Sequence, residues 1–116
     1  RVTLTDGGLF AFAGLWESWR EPASGDTVES CTILTTDANE DLAQIHERMP
    51  VILDPAGYDT WLDPDTDPAD AQALLGPYPS GRLTAYPVPT RVNAVANDDP
   101  AVIEPLRDTG GTPSLL

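Results

Sequence analysis

The sequence predicts an α+β domain: a mixed, largely antiparallel sheet with short flanking helices. Three observations carry this reading. β-Prone runs recur at residues 2–5, 9–16, 27–35, 51–53 and 83–88. Short stretches of helical periodicity, opened by Asp or Thr caps, fall among them. Clusters of Gly, Pro and Asp punctuate the chain where elements must end.

Taken in order, residues 1–19 read as a hairpin. Val2, Thr3, Leu4 and Thr5 are β-prone, and Asp6-Gly7-Gly8 supplies a turn with positive φ. Residues 9–16 are almost wholly apolar, which implies burial on both faces of a central strand. Residues 21–26 ("EPASGD") form a loop, and residues 27–35 a further strand. Alternation there places Val28, Ser30 and Thr32 on one face and Glu29, Cys31 and Ile33 on the other.

Thr36 or Asp37, with Glu40 three residues beyond Asp37, then marks a helix start. Leu42, Ile45 and Met49 give that helix one apolar face. Pro50 disfavours helical geometry at Met49, so the helix must end near His46 or Glu47. Residues 51–53 follow as a buried strand. Asp54 with Pro55 opens the next helix, which carries Tyr58, Trp61 and Leu62 on one side. An acidic connector at residues 63–68 leads to a helix at 69–75. The strand at 83–88 is limited by Pro87. A helical turn is expected at 101–104 and a flexible tail beyond Arg107.

Composition bounds the rest. At 116 residues the chain is one domain or a piece of one. Its 41% hydrophobic and 22% charged content lies near globular norms, which excludes wholesale disorder. The net charge is −13, and all six basic residues are arginines. That sign argues against a nucleic-acid surface made by this chain alone, because phosphate binding rests on a positive footprint. It fits an acidic surface tuned for solubility or high salt. A local basic groove contributed mainly by another segment remains compatible with it.

Cys31 is the single cysteine, so no internal disulfide forms and no zinc-ligand spacing exists. No metal and no cofactor are expected. No run approaches the ~18 apolar residues of a membrane span, so no membrane partner is expected and the cytoplasm is the default compartment. The chain opens on a strand at Arg1 rather than on Met, and is expected to begin inside a longer protein.

The chemistry centres on "QIHERMPVIL", residues 44–53, which holds the only histidine. Once Pro50 draws the chain out of helix, Arg48 becomes extended, and His46 and Arg48 are able to share a pocket. An imidazole beside a fixed cation is an acid/base group paired with an anion holder. The competing reading makes His46 a cap on a helix C-terminus. Glu47 between them faces solvent or an ion-pair partner. Cys31 has no adjacent base and reads as buried filler. Glu17, flanked by Trp16 and Trp19, reads as a strand-end residue.

Five blocks, "LFAFAGLWESW", "CTILTTDAN", "IHERMPVIL", "YDTWLDP" and "VNAVANDDPAVIEPL", resemble the SRAP family (SOS response-associated peptidase). The resemblance runs from about Gly8 to Leu106. It implies an SRAP-like, barrel-like core that is incomplete without an N-terminal half, with residues 1–107 as the C-terminal half and 108–116 as a flexible tail. It also implies binding to single-stranded DNA at abasic sites. In the family an N-terminal cysteine condenses with the ring-opened sugar aldehyde to a thiazolidine crosslink, and the same cysteine is the proposed autopeptidase nucleophile.

Carried over by position, the family histidine matches His46, the DNA-contacting arginine matches Arg48, and a threonine near the lesion matches Thr35. The N-terminal cysteine, a glutamate and an asparagine of the family have no match here. They are expected in an upstream segment of the same or another chain. Cys31 cannot replace the nucleophile, because an interior residue has no free α-amine. The competing function is an inactive acidic fragment that docks a protein through unpaired strand edges. A hydrolase resting only on His46 and a local acid lacks a nucleophile or metal set.

Overall fold

A computed structural model describes residues 1–107. Among them, eight short strands form four antiparallel pairs. Strand β1 (Val2–Leu4) pairs with β8 (Leu83–Ala85), and β2 (Ala11–Phe12) pairs with β7 (Ile52–Leu53). The long pair is β3 (Gly14–Arg20) with β4 (Thr27–Ile33). The fourth joins β5 (Thr35–Asp37) to β6 (Arg48–Pro50). The fold is α+β with antiparallel pairing, and among the described residues the pairs do not close into a barrel.

Three single residues hold the pairs together. Ala13 separates β2 from β3, Leu34 separates β4 from β5, and Val51 separates β6 from β7. Their backbones form a closed triangle. The Ala13 N–H donates to the Val51 carbonyl at 2.8 Å, Val51 to Leu34 at 2.8 Å, and Leu34 to Ala13 at 2.9 Å. Each of three chain segments therefore changes partner at this point, with its polar backbone groups satisfied. Ala13 and Val51 are fully buried here. A small side chain at Ala13 lets the three backbones converge.

The core lies on either side of the segment that runs through β6 and β7. Met49 and Ile52 pack with Tyr78 and Leu83, flanked by Val2, Leu4, Phe10 and Leu42. Val51 and Leu53 pack with Ala13, flanked by Leu34, Tyr58, Trp61 and Leu74. Burial of each large apolar side chain contributes roughly 1.5–3 kcal/mol. Asp54 accepts from the Ala56 N–H at 3.0 Å and opens a 3₁₀ turn (Pro55–Gly57), which runs into α1 (Tyr58–Leu62). Asp67 caps α2 (Pro68–Gln72) in the same way, slightly earlier than the expected 69–75.

Several sequence expectations are corrected. Residues 1–19 do not pair as a hairpin, although Gly7 does adopt φ +77° in a turn. The turn redirects the chain, and β1 and β2 find distant partners because Val2 and Leu4 are needed over the core at Met49 and Leu83. Residues 9–16 are two strands broken at Ala13, not one. Burial on both faces also fails there: Leu9 is 97% exposed and Trp16 is 73% exposed.

The helix expected after Asp37 is instead a pair of turns. Asp37 and Thr36 belong to β5, and the buried Asn39 is the capping residue: its Oδ1 accepts from the Leu42 N–H at 3.2 Å. Its Nδ2 donates to the Tyr78 carbonyl at 2.8 Å. Because β5 and β6 pair, the chain between Asp37 and Arg48 has room only for turns. Met49, expected on the helix face, lies in β6. The tail expected at 108–116 lies outside the described residues.

Candidate functional site

The extended geometry that Pro50 requires places Arg48 in β6, directly opposite Asp37 of β5. Residues two apart on a strand share a face, so Thr35 and Asp37 both look toward Arg48. The Arg48 guanidinium spans them. Nη1 donates to Asp37 Oδ1 at 2.9 Å, and Nη2 donates to Thr35 Oγ1 at 3.1 Å. The pair is exposed: the Arg48 side chain is 46% accessible and that of Asp37 88%. Such an ion pair adds little stability in water.

His46 precedes β6 at the end of the turns, where its N–H donates to the Leu42 carbonyl at 3.0 Å. Its ring folds onto Arg48's own backbone. The Arg48 N–H donates to Nδ1 at 2.9 Å, and the Arg48 carbonyl oxygen lies 3.1 Å from the same nitrogen. A nitrogen that accepts from an amide keeps its lone pair, so this contact favours the neutral tautomer with its proton on Nε2. Protonated, Nδ1 has the carbonyl as its acceptor. Nε2 has no hydrogen-bond partner among the described residues. The ring thus presents Nε2 outward in a fixed orientation.

The structure brings His46, Arg48 and Thr35 into one contact set. The set lies on an open surface and not at the end of a regular helix, so His46 does not act as a helix cap. Glu47 faces solvent between them, and its carbonyl accepts from Ala38. Asp37 is the partner that sequence reasoning missed, having been read as a cap. The alternation Thr35-Thr36-Asp37 within a β-prone run was the available signal. Among the described residues no three His, Cys, Asp or Glu side chains converge as metal ligands. No helix among them is long and apolar enough to cross a membrane.

Cys31 is not buried filler. It is exposed on β4, opposite Trp16. Glu17 stands mid-strand opposite Ser30 rather than at a strand end. Both belong to the β3–β4 ribbon, in which every residue is exposed. Leu15, Trp16, Trp19, Val28 and Ile33 are each at least half exposed there (50–73%). Trp16 and Ile33 lie on one face; Leu15, Trp19 and Val28 lie on the other.

Comparison with known proteins places this architecture. The chain is 46% identical to the abasic site processing protein YoqW of Bacillus subtilis over 105 residues, which covers 90% of this chain and 46% of that protein. It is 37% identical over 100 residues to the abasic site processing protein HMCES of Gallus gallus, covering 84% of this chain and 29% of that one. A crystal structure of a protein from Bacteroides thetaiotaomicron superimposes with a TM-score of 0.78 at 27% identity, over 91% of this chain and 47% of the other. The chain thus spans about half the length, or less, of these relatives. The family model described as SOS response associated peptidase (SRAP) matches residues 1–95. The chain belongs to the SOS response associated peptidase family.

Proposed function

We propose that the protein carrying this chain processes abasic sites in single-stranded DNA by forming a covalent crosslink, as part of the DNA-damage (SOS) response in the cytoplasm. The observation that carries this is the joining of His46, Arg48 and Thr35 in one exposed contact set. Relatives named for abasic site processing support it. The nucleophile, an N-terminal cysteine, is supplied by a segment preceding these residues.

The chemistry assigns each group a task. An abasic sugar reacts through its open aldehyde, and opening the hemiacetal requires a proton at the ring oxygen. The α-amine then adds to the aldehyde carbon, water leaves, and an imine forms. The thiol adds across the C=N bond and closes a thiazolidine, so the net change is loss of one water. His46 Nε2–H, held outward by Arg48's amide, donates a proton in these steps. Arg48 holds a phosphate beside the lesion through its free N–H donors. Thr35 fixes one end of that guanidinium. Removal of a short propeptide by the same cysteine belongs to this reading where a propeptide exists.

The test is incubation of the full-length protein with an abasic single strand, followed by a denaturing gel. A denaturant-resistant shifted band that is lost on replacing the N-terminal cysteine is expected. No band with a freshly generated abasic site would overturn the reading.

A second reading rests on the β3–β4 ribbon, whose outer edges are unpaired among the described residues and whose two faces both carry exposed apolar groups. It makes the chain an acidic module that docks a protein partner by strand addition. Full crosslinking by a protein whose ribbon is covered by its own upstream segment excludes it.

A further inference from the structure

We infer that Asp37 is a positioning residue that fixes the Arg48 guanidinium for contact with a phosphate, an inference that rests on the DNA-binding reading above. Asp37 stands at the ladder position directly opposite Arg48, so the backbone sets the distance between them. Its Oδ1 takes one hydrogen of Nη1 at 2.9 Å, while Thr35, two residues away on the same face, takes one of Nη2 at 3.1 Å. Both terminal nitrogens are therefore anchored from one strand. At its other end Arg48 is anchored through its backbone N–H to His46. Of the guanidinium's five N–H donors, two are engaged by side chains, which leaves three for an incoming anion.

The usual explanation for such a pair is fold stability, and it fails here. The Asp37 carboxylate is 88% exposed, and an exposed ion pair of this kind contributes little. Asp37 makes no other side-chain hydrogen bond among the described residues. Its negative charge also opposes a nearby phosphate, so a role in raw affinity is excluded by sign. Geometry is what remains: a long, rotamer-rich side chain is held where its remaining donors meet the strand at a fixed offset from His46. Pre-organisation of this kind costs affinity little and governs the rate of a step that depends on alignment.

The experiment uses the full-length protein with Asp37→Ala and Asp37→Asn. Asparagine keeps an acceptor oxygen and loses the charge; alanine loses both. Two quantities are read. One is the crosslinking rate at saturating abasic single strand. The other is the NMR signal of the Arg48 guanidinium, which reports restricted rotation without any activity. Asp37→Ala is expected to slow crosslinking roughly tenfold, with binding to a strand bearing an aldehyde-free abasic analogue unchanged or tighter. Asp37→Asn is expected to retain most of the rate. The Arg48 signal is expected to be restrained in the wild type and in Asp37→Asn, and averaged in Asp37→Ala.

A wild-type crosslinking rate in Asp37→Ala overturns the inference. Equal slowing in both variants also overturns it, because charge would then matter rather than placement. So does an Arg48 guanidinium equally mobile with and without Asp37. If the wild type forms no crosslink at all, the proposed function falls, and the NMR comparison alone decides the role of Asp37.

Discussion

The Arg48 backbone N–H donates to Nδ1 of His46 at 2.9 Å, so one residue of the candidate site fixes the ring orientation of the other. The two side chains nonetheless point to different tasks, and the salt dependence of binding separates their substitutions.

For His46, the expected phenotype is in the chemical step. In the full-length protein His46→Ala should slow crosslinking about 10²-fold or more, while affinity for an undamaged single strand stays within about twofold. Single-turnover rates beside equilibrium binding make the measurement. A loss of thermal stability with unchanged crosslinking per folded molecule would reduce His46 to a structural anchor of the turn before β6.

Arg48→Ala should weaken binding and, because the strand is then no longer aligned with His46, also slow crosslinking at saturation. One phosphate contact fewer lowers the slope of log K against log salt by roughly 0.7 for a single strand. Affinity should fall most at low salt and converge with the wild type at high salt. An unchanged slope would remove Arg48 from the DNA contact.

At the backbone triangle, Ala13→Leu should destabilise the fold. Ala13 is fully buried and its N–H and carbonyl both belong to the triangle, so added methylenes have no space that does not separate the three segments. Overpacking of this kind costs about 1–3 kcal/mol. Urea denaturation of the full-length protein reads it as a lower midpoint. A neutral result would mean the junction has slack.

Arg91 donates to Asp99 at 2.8 Å, and this hydrogen bond, with the nearby charge and the Ala101 N–H, holds the Asp99 carboxyl below the usual carboxylate range. A depressed carboxylate contributes its stabilisation above the pKa of the unfolded chain. It loses it as pH falls through the folded value. The 3₁₀ turn Pro100–Ile103, which Asp99 caps, should therefore loosen only in acid below the ordinary Asp range. An NMR titration of the Asp99 carboxyl checks this, and Arg91→Ala should move it back toward the ordinary value.

The ribbon gives a prediction for a polypeptide of these 116 residues alone. Two-stranded ribbons are marginal in isolation, and this one exposes Trp16 and Trp19. Its tryptophan emission should be red-shifted, it should bind an apolar dye, and it should form no abasic crosslink. In the full-length protein the emission should lie further to the blue. A blue-shifted spectrum for the short polypeptide would mean that these residues cover the ribbon themselves.

Local chemistry in the sequence decided a definite part of this protein. Asp54 with Pro55 opens a helical turn because an acceptor and a fixed φ act within three residues. Pro50 forces extension at Met49, the residue next to Arg48. The loop at residues 21–26 and the strand that follows it were likewise legible, because turn and strand signals are adjacent. Motif resemblance alone marks His46, Arg48 and Thr35.

What only the tertiary structure decided is partnership. Residues 1–19 carry hairpin signals, yet β1 pairs with β8 and β2 with β7, because the burial of Val2, Leu4 and Phe10 over Met49 and Leu83 outweighs a local turn. The triangle at Ala13, Leu34 and Val51 has no sequence signature, since each corner takes its partners from distant segments. Asp37 read as a helix cap because capping spacing is local. Its place opposite Arg48 depends on the register of β5 against β6, and register is a property of two strands together.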